Sequence, residues 1–198
     1  MLTLIEDVAQ KENKHIAKNE YFKRKGIEVI RHPLPVGDYV VATPQIQEML
    51  DRKMKRGMAP KKMDFVGLYD RCVDSKSSIG EIYSDLIQDH GRFRDEAEFA
   101  KQRDIKLTIL VEEPGIYRLD DVRRWKNPRM QRYEKIKSMH NQGKWKKIPE
   151  KKPPVNGEQL WKIMYTFAER HGVMWRFTSP QNAGRAVMYL LTGEDYGA

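Results

Sequence analysis

Residues 73–93 read VDSKSSIGEIYSDLIQDHGRF. The first part closes an apolar-rich stretch, Phe65–Lys76, that predicts a strand region. Asp74 and Lys76 stand two apart there, and side chains two apart on a strand share a face. Ile79, Ile82, Tyr83, Leu86 and Ile87 then recur at helical spacing and predict an amphipathic helix. Helix resumes after Gly91 as far as about Arg103. Lys106–Val111 (KLTILV) predicts a buried strand with Glu112 at its end. Upstream, Ile27–Arg31 and Tyr39–Thr43 predict strands joined by the turn-rich HPLPVGD, residues 32–38. Residues 2–8 predict a first strand, and 14–25 a helix stopped by Gly26. Downstream, Leu160, Ile163, Met164 and Phe167 mark a helix, Val173–Phe177 a strand, and the stretch from about Gln181 a last helix. This alternation predicts an α/β class in a single domain, 1–198, with no internal repeat.

The chain has 198 residues, with 37 Lys+Arg, 28 Asp+Glu and a net charge of +9. The excess is local. Residues 122–152 hold twelve Lys/Arg against Glu134 and Glu150, so the rest of the chain is close to neutral. A second basic run, Arg52–Lys62, has six cations and no acid. Both runs are expected to lie in insertions, at 44–63 and about 115–156, the first partly helical. Trp125, Tyr133 and Trp145 interleave the larger run. Cations that meet phosphates, with rings that stack on unpaired bases, suit nucleic acid; a solvated helical face anchored by its aromatics is the plainer reading. Candidate DNA contacts are Lys53, Arg56, Arg123, Arg124, Lys126, Arg129, Arg132, Lys144, Lys146 and Lys147. No run is apolar and long enough to span a membrane, and the N-terminus has no apolar signal core, so a cytoplasmic protein is expected. Cys72 is the one cysteine, which excludes an internal disulfide and a cysteine-based zinc site. It reads as a small core residue, and the ten methionines as core filler. His15, His32, His140 and His171 lack metal-ligand spacing, and His90 is a weak candidate base.

The polar groups at strand ends carry the chemistry. Asp38 follows Gly37 at the start of a strand, Asp74 and Lys76 share a face, and Glu112 ends the LTILV run. Paired carboxylates bind hard cations such as Mg²⁺ or Mn²⁺. Such a cation activates water and offsets charge on an attacked phosphate, while a lysine orients water or stabilises the developing charge. Taken alone, D-x-K describes an ordinary ion pair at a strand edge equally well.

The strings LPVGDYVV (34–41), VDSKSSIGEIYSDLIQDHGRF (73–93) and LTILVEE (107–113) together resemble the nuclease domain of XPF-type structure-specific DNA endonucleases. That domain belongs to the restriction-endonuclease-like, PD-(D/E)xK superfamily. Gly37-Asp38 matches the family's G-D, and Asp74-Ser75-Lys76 stands where E-R-K is expected. Asp7 fits the acid of V-D-x-R-E, with Gln10 in place of the final Glu. The acid expected four residues after the lysine falls on Gly80, with Glu81 one later. Arg92, in H-G-R-F, lies close to the family's N-G-R and is a candidate phosphate contact. GVMWRFTSPQNAG (172–184) resembles the end of the domain.

The resemblance implies a mixed central β-sheet flanked by helices, with Asp38, Asp74 and Lys76 as catalytic residues. Asp38 and Asp74 are the expected ligands of Mg²⁺ or Mn²⁺, joined by Asp7 or Glu112. The expected activity is endonucleolytic hydrolysis at branched, flap or single-stranded DNA in repair, recombination or replication, by a homodimer or with a partner protein. A compact version suits a phage or mobile-element gene, and location would then be nucleoid-associated or in the host cytoplasm. Two alternatives stay open: an inactive nuclease-like DNA-binding module, and a basic structural or RNA-associated protein whose carboxylates are ion pairs.

Overall fold

The computed structural model describes residues 2–10, 16–144 and 152–197. Among these residues six strands form one sheet: β1 (Thr3–Asp7), β2 (Glu28–His32), β3 (Tyr39–Val41), β4 (Arg71–Lys76), β5 (Lys106–Glu112) and β6 (Met174–Thr178). Their spatial order is β2-β1-β3-β4-β5-β6. The sheet is mixed: β3 runs antiparallel to both β1 and β4, and the other pairs are parallel. Seven α-helices are described, and all but the second and the last lie in the crossovers that the parallel pairs need. The helices are α1 (Ile16–Arg24), α2 (Pro44–Lys55), α3 (Ile79–Ile87), α4 (His90–Gln102), α5 (Pro128–Asn141), α6 (Gly157–His171) and α7 (Ala183–Thr192). None of the described helices is long and apolar enough to cross a membrane.

The two faces of the sheet bury separate cores. One face presents Ile5, Val40, Cys72, Ile109 and Val111 to α2, α3, α4 and α6. The other presents Leu4, Tyr39, Val73 and Leu110 to α1 and α7. The α7 helix lies so close to α1 that a Cβ on Gly184 would stand 2.8 Å from Tyr21 Cβ.

The expected elements are present, with shifted limits. The Phe65–Lys76 stretch is a strand only from Arg71; residues 62–65 form a 3₁₀ turn in which Asp64 accepts a hydrogen bond from the Lys61 backbone N–H. Phe65 and Tyr69 are buried there as core side chains, which accounts for the apolar signal without a strand. The α4 helix begins at His90 and runs through Gly91. The polar 44–63 segment contains α2, capped by Thr43 and opened by Pro44, and its Ile46 and Met49 belong to the main core. The second basic segment contains a 3₁₀ turn, Leu119–Arg124, whose Val122 is buried, and then α5, which buries no residue.

Candidate active site

Gly37 sets the site. Its φ is +74°, and a Cβ there would meet Cys72 Cβ at 2.8 Å and Sγ at 2.9 Å, so only glycine lets this turn lie against β4. Its N–H donates to Glu96 Oε1 of α4 at 3.0 Å. The next residue enters the sheet through Asp38 N–H to Val73 O, 2.8 Å. Beyond that bond β3 and β4 part. The Ser75 N–H, which a neighbouring strand would otherwise satisfy, donates to Asp38 Oδ2 at 2.7 Å. The Asp38 carboxylate therefore completes the ladder beside Asp74 and Lys76.

Asp74 and Lys76 share the sheet face of Cys72, as strand alternation requires. Asp74 is buried, and its Oδ2 lies 3.0 Å from Lys76 Nζ. The same ammonium lies 3.1 Å from Asp85 Oδ2 and 5.3 Å from the centre of the Phe93 ring. Phe93 is in turn stacked on Phe167, 5.0 Å away. Asp38, Asp74 and Lys76 line one cavity of ≈ 470 Å³, joined by Asp7, Gln10, Glu81, Arg92, Glu96 and Lys62.

The electrostatics follow from burying carboxylates together. Desolvation, then Asp74, pushes the Asp38 carboxyl well above the ordinary range. Desolvation and Asp74 likewise raise Glu96, and desolvation raises Asp85. Burial alone would lower the pKa of Lys76, but Asp74, Asp85 and Asp38 outweigh it and hold the ammonium protonated. The Cys72 thiol is buried and its pKa is pushed up by desolvation, as befits a core residue and not a nucleophile.

The structure brings together most of the expected site residues. Asp7 sits on the cavity, with Oδ1 accepting from Leu34 N–H at 3.1 Å, and Arg92 is exposed on its rim. Glu112 is elsewhere, and its expected metal role is corrected. In the β4–β5 register Asp74 pairs with Ile109 and Lys76 with Val111, so Glu112 falls on the opposite face with Ser75. There it pairs with the buried ammonium of Lys18 and accepts from Ser75 Oγ at 2.7 Å. His90 is exposed and lies off the cavity. Among the described residues no group of three or more His, Cys, Asp or Glu is arranged to hold a metal ion.

The basic residues divide. Arg123 is held by Glu158 at 3.0 Å and lies 3.4 Å over the Trp161 ring. Lys53 is tied to Asp64 at 2.7 Å, and Arg129 lies over Tyr83 at 4.7 Å. Arg56, Arg124, Lys126, Arg132 and Lys144 are exposed. Lys146, Lys147 and Trp145 lie outside the described residues. Trp125 packs near Tyr83, ring centres 6.3 Å apart.

Asp85 and Glu96 were not singled out by the sequence, and Lys62 stood there only as the end of the Arg52–Lys62 basic run. Asp85 had a signal, an acid flanking the apolar stripe of α3. Glu96 follows Arg92 by four residues and so shares its helix face.

The ERCC4 domain profile matches residues 7–174. Among solved structures, XPF from Aeropyrum pernix is similar with a TM-score of 0.52 at 15% identity, over 96% of this chain and 63% of that one. XPF from Aeropyrum pernix in complex with DNA is similar with a TM-score of 0.51 at 15% identity, over 96% and 64%. The fold is that of these XPF structures, and the chain spans less than two thirds of their length. No curated protein sequence matches the chain.

Proposed function

Because the chain belongs to the ERCC4 domain family, we propose that it is a DNA endonuclease that uses Mg²⁺ or Mn²⁺ to hydrolyse phosphodiester bonds. The substrate class is branched, flap or single-stranded DNA met in repair, recombination or replication. The observation that carries this reading is the convergence of Asp38, Asp74 and Lys76 on one cavity rimmed by Arg92 and Lys62.

The donor set fits a hard divalent cation held by few protein ligands. Asp74 Oδ2 is buried without a hydrogen bond of good geometry, and Asp38 and Asp7 each keep one carboxylate oxygen outside the backbone bonds described above. Magnesium commonly takes one or two carboxylates and leaves its other positions to water and substrate phosphate. Bound by Asp38 and Asp74, the cation would supply activation of water and neutralise charge on the attacked phosphate. Lys76, protonated and anchored on the cavity wall, stabilises negative charge developing on the phosphoryl oxygens. Arg92 and Lys62 meet the flanking phosphates.

An inactive DNA-binding module is the second reading, favoured by the lack of a ready three-ligand group among the described residues. Incubating single-stranded, duplex, flap and junction DNA with the protein separates the two. The nuclease reading expects cleavage with Mg²⁺ or Mn²⁺, none with chelator, and least on plain duplex. DNA bound but left intact with either metal overturns it in favour of the second reading.

A further inference from the structure

Lys76 is held by two carboxylates, from different elements. Asp74 comes from its own strand; Asp85 comes from α3 and lies behind the lysine, off the cavity lining. Both Oδ2 atoms are buried, and neither accepts a hydrogen bond of good geometry, so each is served by the same ammonium through charge. The Phe93 ring lies 5.3 Å from Nζ and is stacked on Phe167. Glu81, one turn before Asp85 on α3, accepts from Ser77 N–H and Oγ, both at 2.8 Å, and so contributes a backbone anchor near the helix start.

In this arrangement Asp74 has two claimants. A divalent cation on Asp74 repels an ammonium 3.0 Å from the same oxygen. With Asp74 as the sole partner, Lys76 would compete with the cation for that oxygen or be expelled from the cavity. A second buried carboxylate at 3.1 Å removes the conflict, because the ammonium keeps a counter-charge when Asp74 is taken.

We propose that Asp85 is the positioning residue for Lys76: it holds the ammonium on the cavity wall, so that Asp74 is free to bind a divalent cation beside it. Asp85 acts through Lys76 and touches neither cation nor substrate. The inference rests on the metal reading of the cavity.

The test is Mn²⁺ binding to the full chain without DNA, read by electron paramagnetic resonance, in a double-mutant cycle. Asp85→Asn is expected to weaken Mn²⁺ binding about tenfold when Lys76 is present and by no more than about threefold in a Lys76→Met background. Asp85→Glu, which restores the carboxylate, should recover most of the loss. Asp85→Ser serves as a second variant if Asp85→Asn does not fold. Equal weakening in both backgrounds means through-space charge alone and overturns the proposal, as does no weakening in either. Asp74→Ala is the control for the underlying reading. If it leaves Mn²⁺ affinity unchanged, the cation site falls and the inference with it, whereas loss with Asp74→Ala but not with Asp85→Asn removes the inference alone.

Discussion

Asp38 accepts the Ser75 N–H through one oxygen, while burial and Asp74 raise its pKa. An acid whose pKa rises on folding binds its proton more tightly in the folded state, so ionising it costs stability. Asp85 and Glu96 act in the same direction. In metal-free buffer, these three carboxyls therefore make the domain less stable as pH rises through their raised pKa values. Asp38→Asn removes one of the charges and keeps an oxygen for the Ser75 N–H. It is expected to raise the melting temperature at pH 8 by a few degrees, about 2–4 °C per kcal/mol in a chain of this size. The gap to wild type should close at pH 5, where wild type is itself more protonated. A lower melting temperature at pH 8 contradicts this account. The same variant should lose cleavage, since a carboxamide is a poor ligand for a hard cation. At this scale strand alternation alone sends Asp74 and Lys76 to one side, whereas Asp38 joined them only through the G-D match of the family resemblance. Glu112 was misread because its face depends on the β4–β5 register, which no local pattern reports. Asp85 was missed because its meaning depends on how α3 is rotated over β4.

Between elements, the far side of the sheet is fastened by charge. Lys18 of α1 has a relative exposure of 1%, and it pairs with Glu112 of β5 and Ser75 of β4. Its ammonium also lies 5.6 Å from the Tyr39 ring centre. Because Ser75 holds Asp38 through its N–H and Glu112 through its hydroxyl, this cluster backs β4, the strand that carries Asp74 and Lys76. Lys18→Met strands a buried carboxylate and is expected to cost about 3–5 kcal/mol. Lys18→Met with Glu112→Leu should recover much of that, as measured by urea unfolding. A single variant as stable as wild type would mean that the pair is not buried in solution. At this scale α3 and α6 were legible from a 3.6-residue period, β5 from its continuous apolar run, and α1 from its apolar Tyr21 and Phe22. Its inward lysine was not, since a lysine four residues before Phe22 reads as surface until β4 and β5 supply its partners.

Across the whole molecule, charge and chemistry are carried by different segments. The cavity is built from β1, the turn before β3, the 3₁₀ turn at 62–65, β4, α3 and α4, and its lining carries five acids, Asp7, Asp38, Asp74, Glu81 and Glu96, against the three cations Lys62, Lys76 and Arg92. The excess positive charge of residues 122–152 continues through α5, which buries none of its residues. Some of these cations are committed within the fold, Arg123 to Glu158 and Trp161 above all. Arg124, Arg132, Lys135 and Lys144 are exposed. Changing these four to Gln should weaken DNA binding and reduce the slope of log affinity against log salt by about 0.9 for each phosphate no longer neutralised. Mn²⁺ binding should be unaffected, and an unchanged slope would make residues 124–144 a solvated surface and no more. The net charge of +9 suggested an anionic partner, but only the fold separates the cations that are exposed from those already paired.

Phosphodiester hydrolysis that depends on Asp74 and Lys76 is the proposed function. It is tested most directly by single-turnover cleavage of a flap or junction DNA with saturating Mn²⁺, comparing wild type with an Asp74→Ala, Lys76→Ala double variant of matched DNA affinity. The account predicts that the double variant binds the DNA and cuts it slower by at least a factor on the order of 10³. Divalent-dependent cleavage that survives in the double variant at a wild-type rate would contradict it.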